Sequence, residues 1–173
     1  MGDWLRTVGD TIQEEFSDLP DAARLTRITV RLTLAAALGG VLGFEREQSG
    51  KAAGLRTHML VALGAALFVL IPQQAGMTDA DLSRVVQGLA AGIGFLGAGA
   101  ILKGDADEEV KGLTTAASLW LTAAIGVAAG LGREATAAVS TGLALAILAI
   151  VPRVAGYFGT DAVKPAPRPK PRR

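Results

Sequence analysis

The sequence predicts an all-α fold: a polytopic membrane helical bundle with about five transmembrane helices. Three observations predict it. Charge-free runs occupy residues 57–78, 85–102, 112–132 and 135–152, each at least 18 residues long. A helix of that length crosses a hydrocarbon core of ~30 Å at ~1.5 Å per residue. Charged residues, 19% of the chain, gather in short islands between these runs. Glycine contributes 22 of 173 residues and aromatics only 5%, a composition suited to helices whose backbones touch in lipid.

In chain order, residues 1–19 read as an amphipathic segment. Trp4, Leu5, Val8, Ile12 and Phe16 recur at helical spacing, away from Asp10, Gln13 and Glu14. Such a face suits either the membrane interface or packing on a bundle. Residues 20–152 form the transmembrane helical domain. Pro20 and Asp21 make a helix start. The first span has the shortest uncharged stretch, residues 32–44. Arg31 must therefore snorkel or find a partner inside the bundle, and Gly39 and Gly43 suggest close packing.

The second span is expected over residues 57–71, ended by Pro72. The third, residues 85–102, holds Gly88, Gly92, Gly94, Gly97 and Gly99. At 100° per residue, Gly88, Gly92 and Gly99 share one face and Gly94 and Gly97 lie roughly opposite. Small on two sides, this span is expected to be the central, sandwiched helix. Its G-x-G-x-x-G spacing at Gly92, Gly94 and Gly97 mimics a dinucleotide fingerprint. That motif needs a strand before it and an acidic residue about 20 positions on, so packing is the reading taken here.

The fourth span covers residues 113–131, the fifth 135–151, closed by Pro152, with a tight connector between them. Thr115, Ser118, Thr122, Gly126 and Ala129 stripe one face of the fourth span and are expected to meet the third. Leu113, Trp120, Val127 and Leu131 are expected to meet lipid. Residues 153–173 form a basic, proline-rich tail, expected to be extended and disordered.

Chemistry is sparse. Cysteine is absent, which excludes disulfides and thiolate metal sites, and there is one histidine. No nucleophile–base pair or metal-ligand cluster stands out, so neither enzymatic activity, a metal nor a cofactor is expected. A net charge of +1 gives no reason to expect nucleic acid. The N-terminus carries Asp3 and Asp10 and the first apolar run comes late, so no secretory signal peptide is expected. Asp105, Asp107, Glu108 and Glu109 read as a solvated turn rather than a Mg²⁺ site. His58 reads as structural. Glu45, Arg46 and Glu47, with Lys51 and Arg56, form a charged island at a membrane edge, where a paired network is expected. Arg56 is expected to approach one of the carboxylates. Lys and Arg are denser in residues 45–56, 103–111 and 153–173 than in the opposite segments, which favours an external N-terminus and a cytoplasmic C-terminus.

Three blocks, GFEREQSGKAAGLRTHMLVALGAALF, RVVQGLAAGIGFLGAGAIL and VKGLTTAASLWLTAAIGVAAGLG, in this order and spacing, resemble the MgtC/SapB family of bacterial inner-membrane proteins. The resemblance implies a multi-span protein of the bacterial plasma membrane. It also implies a link to magnesium-limited growth and to pathogen survival in macrophages, with some members restraining the proton-translocating ATP synthase. Matching positions are Glu45, Arg46, Glu47, Arg56 and Thr57, then Gly92, Gly94, Gly97 and Gly99, then Gly112, Thr114 and Thr115. Only a short basic tail follows Pro152, where virulence-associated members carry a folded cytoplasmic domain, so the short, SapB-like form is expected. The expected partners are the bilayer, another inner-membrane protein and further copies of the chain. The rival reading is a small ion or solute transporter or channel with a path along the fourth span.

Overall fold

The computed structural model describes residues 2–15, 21–103 and 110–157. Helix α1 spans Gly2–Glu15, α2 Ala22–Gln48, α3 Leu55–Gln74, α4 Asp79–Ala100, α5 Leu113–Gly130 and α6 Glu134–Tyr157. A two-residue antiparallel pair, β1 (Leu102–Lys103) and β2 (Val110–Lys111), bridges α4 to α5. Helices α2 to α6 are each long and apolar enough to cross a membrane. This is the expected all-α bundle of five spans. Residues 16–20, 104–109 and 158–173, including the four-carboxylate turn and most of the basic tail, lie outside the described residues.

The helix starts follow their local chemistry. Asp21 caps α2 by accepting from the Arg24 N–H, and Thr78 caps α4 by accepting from that of Asp81. Both satisfy donors that a helix N-terminus leaves unpaired. Gly112 caps α5 in the left-handed region, φ +96°. A side chain there would strike the backbone of Ala100, so this position demands glycine.

Two expected stops are not stops. Pro72 lies inside α3 and Pro152 inside α6. Pro72 stands two residues from the end of α3, where the helix accommodates it. Helix α6 runs on past Pro152 to Tyr157, so residues 153–157 belong to a helix and not to an extended tail. Among membrane helices proline is tolerated in this way.

The central helix is α5, not α4. In α5, Thr115, Ser118, Thr122, Ile125, Gly126 and Ala129 are all buried, and half of its apolar window is enclosed by protein. In α4 only Ile93 and Gly97 are buried. Gly97 packs on Ala116 of α5, whereas a side chain placed at Gly88, Gly92, Gly94 or Gly99 would meet open space. The expected two-sided sandwich therefore fails at α4: its glycines face outward on all sides but one. The α5 stripe meets α3 instead. A side chain at Gly126 would overlap the Ala62 carbonyl, and one at Gly130 the Ala66 backbone. Small residues here let two backbones touch, which lipid-embedded helices use in place of a hydrophobic driving force. Leu113 and Trp120 lie on the exposed side of α5, as their bulk predicts.

Arg31 finds a partner inside the bundle. Its Nη1 donates to Gln73 Oε1 at 2.8 Å and to the Gly130 carbonyl at 3.1 Å. One arginine thus ties the start of α2 to the ends of α3 and α5.

Candidate functional site

The charged island is built where the end of α2 folds over the start of α3. Gly43 makes this approach: a side chain on it would lie 2.7 Å from Leu55 Cα and 2.9 Å from His58 Cβ. The close crossing brings the last turn of α2 down onto α3. Arg46 is buried there, 3% exposed. Its Nη2 donates to Glu45 Oε1 at 2.7 Å and its Nε donates to Glu45 Oε2. This is a bidentate fork, the strong form of an arginine–carboxylate pair. Ser49 Oγ donates to the same Glu45 Oε1 at 2.9 Å. Glu47 turns to the other side and accepts the Leu55 N–H at 2.8 Å. It supplies the side-chain cap that Gly54 lacks and puts negative charge at the positive end of α3.

Arg56 does not join them. It is exposed, and among the described residues it pairs with no carboxylate. The reason is helical phase. Two residues further on, about 200° round the helix, His58 is fully buried. The turn that sends His58 inward sends Arg56 outward. Arg56 and Thr57 instead border a groove of about 400 Å³ between α3 and α4, walled by Leu60, Phe68, Leu89 and Leu96.

His58 carries the polar network inward. The Gly54 carbonyl, 3.0 Å from Nδ1, can only accept, so Nδ1 holds the proton. In the neutral ring Nε2 then accepts, 3.2 Å from Ser118 Oγ. The Thr115 carbonyl, 2.8 Å from Ser118 Oγ, is the alternative acceptor for that hydroxyl's single proton, and Thr122 Oγ1 donates to the Ser118 carbonyl at 2.8 Å. The Ser118 and Thr122 hydroxyls are thus buried in the bundle and spent on hydrogen bonds.

The predicted positions fall into separate groups. Glu45, Arg46 and Glu47 gather over the α3 start. Thr115 is buried at the same end of the bundle, and Gly112 fixes the α5 start beside it. Thr114 is exposed and lines an apolar groove with Leu42, Leu121 and Leu148. Of the α4 glycines, Gly97 alone makes a close helix contact, and Gly92, Gly94 and Gly99 are exposed. Sequence reasoning missed that His58 and Ser118 are joined. The signal was there: the single histidine and the hydroxyl stripe were both seen, each taken alone. Among the described residues, no cluster of three or more His, Asp or Glu could hold a metal ion.

Fold and site together define a polytopic membrane protein with a buried ion pair at one membrane edge. The MgtC family model matches residues 32–157, and the chain belongs to that family. Its relatives include the protein SrpB of Synechococcus elongatus, 48% identical over 116 residues, covering 61% of this chain and 64% of SrpB. The putative magnesium transporter YhiD of Escherichia coli K12 is 44% identical over 111 residues, covering 60% of this chain and 50% of YhiD. The protein MgtC of Brucella abortus is 46% identical over 114 residues, covering 66% of this chain and 47% of MgtC. The chain thus spans about half to two thirds of the length of these relatives. No solved structure matches it.

Proposed function

We propose that this chain is a non-enzymatic protein of the bacterial plasma membrane that supports magnesium-limited growth or envelope homeostasis by modulating another membrane protein, such as the proton-translocating ATP synthase. The observation that carries the reading is the packing of the α5 stripe. Thr115, Ser118 and Thr122 are buried against α3, and the Ser118 and Thr122 hydroxyls are hydrogen-bonded. Hydroxyls consumed in this way do not line a polar path. What stays free to meet a partner is the edge formed by Arg56 and Thr57. In a strain deleted for the gene and grown at limiting magnesium, Arg56→Gln and Thr57→Val should lower growth to the level of the deletion, with membrane levels unchanged by blot. Growth equal to the parent with both variants would remove this edge from the function.

The relative YhiD, named a putative magnesium transporter, favours a second reading, a small ion or solute transporter. Purified protein in liposomes separates the two: Mg²⁺ flux above empty vesicles supports transport, and its absence alongside the growth phenotype supports modulation. The proposed orientation has the N-terminus outside and the C-terminus in the cytoplasm, from the excess of Lys and Arg in the inner segments. A reporter fused after residue 173 should read cytoplasmic and one inserted at Asp79 external; the reverse pattern would exchange the two faces.

A further inference from the structure

At the membrane face opposite the Glu45–Arg46 pair, a cavity of about 280 Å³ opens between the start of α2 and the end of α3. Arg24, Arg27 and Arg31 line it, with Gln73, Gln74, Ile28 and Leu70 completing the wall. Spacings of three and four place the three arginines on one face of α2.

The cavity is rich in donors and poor in acceptors. Gln73 Oε1 already accepts from Arg31 Nη1, which leaves the Gln73 amide N–H₂ as a donor. Arg31 Nε is buried and has no hydrogen-bond partner among the described residues. Among the described residues, the one carboxylate within ion-pair reach of these arginines is Glu134, at 3.9 Å from that Nε, too long for a hydrogen bond. Asp21 caps α2, its Oδ1 accepting the Arg24 backbone N–H. Among the described residues, three cations and the two glutamine amides thus line one small space, with Glu134 the single, distant counter-charge in ion-pair reach.

We propose that this cavity binds a phosphate group. A tetrahedral oxyanion carries several acceptors for the guanidinium forks and the amide, and arginine forks match phosphate geometry. The favoured source is the headgroup of an anionic phospholipid. The cavity lies where a helix enters the bilayer, its base is apolar, and Leu25, Val30 and Ile71 stand exposed on the same helix ends to meet acyl chains. Basic pockets between transmembrane helices hold headgroups on the cytoplasmic side of membranes; in the proposed orientation this pocket would offer the same chemistry to the outer leaflet.

The test uses the full chain in nanodiscs of phosphatidylcholine, with unfolding temperature as the readout. Phosphatidylglycerol is added in one arm and inorganic phosphate in another, against matched sodium chloride. The probe variant is Arg24→Gln with Arg27→Gln, two exposed residues whose loss spares the Arg31 tie. Arg84→Gln, an exposed arginine on the same membrane face, is the control. Phosphatidylglycerol should stabilise the parent and the control, and the double variant should need about tenfold more lipid or beyond for the same shift, as expected on losing a charge-assisted hydrogen bond. Equal dependence on inorganic phosphate would keep the site and name the free ion as its occupant. No shift in either arm, or an undiminished shift in the double variant, would overturn the proposal.

Discussion

Gly126→Ala should destabilise the protein strongly by forcing two spans apart, and Gly126→Leu should prevent accumulation of folded protein. The added carbon would overlap the Ala62 carbonyl, with Ala62 Cα also within 2.9 Å. Backbone cannot swing aside as a side-chain tip can, so α5 and α3 must separate. Overpacking costs ~1–3 kcal/mol where side chains give way; against backbone the upper end is expected, about 3 kcal/mol for alanine. Gly92→Ala is the matched control, because its new methyl meets nothing within 4 Å. It should change stability by less than about 0.5 kcal/mol. Thermal unfolding in detergent gives both values. A Gly126→Ala protein as stable as the Gly92→Ala protein would refute the backbone contact between α3 and α5.

Glu45→Gln should be the costliest substitution in the charged island, at roughly 3 kcal/mol, because it strands a buried guanidinium. Arg46 keeps its charge, its side chain is 4% exposed, and the fork to Glu45 is lost. Removing both charges removes the penalty: Glu45→Gln with Arg46→Met should recover most of the loss, as buried pairs replaced by apolar groups commonly do. The strong non-additivity is the signature of a paired charge. Exchange of Glu45 and Arg56, by contrast, should restore nothing, since the two are not partners. Membrane levels and unfolding temperature read the structural effect. Growth at limiting magnesium reads the functional one, and a stable double variant that fails to support growth would assign the pair a role beyond scaffolding. Additive losses in the double variant would dissolve the pair.

The spans were legible because charge cannot be hidden in lipid: the uncharged runs mark α3 to α6 to within a few residues, and Gly39 with Gly43 marked a close crossing on α2. What composition could not fix was which helix sits in the middle. Glycine signals that a backbone is approachable, not that anything approaches it, and α4 has five approachable positions with one neighbour. The alanine and hydroxyl stripe of α5 is the buried one because its small groups are continuous along a single face. The charged island was legible as a paired network around Glu45 and Arg46, but not in its membership, since Arg56 stands outside it. Depth in the membrane follows from span ends, but the direction of Arg56 depends on the rotation of α3 about its own axis, which His58 reveals only once its burial is known.

The glycine contacts on α3 bear on how the molecule can move. Gly39 and Gly43 bring α2 against the backbone of His58 and Leu55, while Gly126 and Gly130 bring α5 against that of Ala62 and Ala66. Held backbone to backbone on two sides, α3 can neither slide nor turn without breaking both seams, because close-packed interfaces shift between discrete arrangements rather than deform smoothly. Helices α2, α3 and α5 are therefore a single stiff block. Any rearrangement that accompanies work in the membrane falls first to α4, in which only Ile93 and Gly97 are buried, since α6 sends Ala137 and Ala144 into the core cluster shared with α2, α3 and α5.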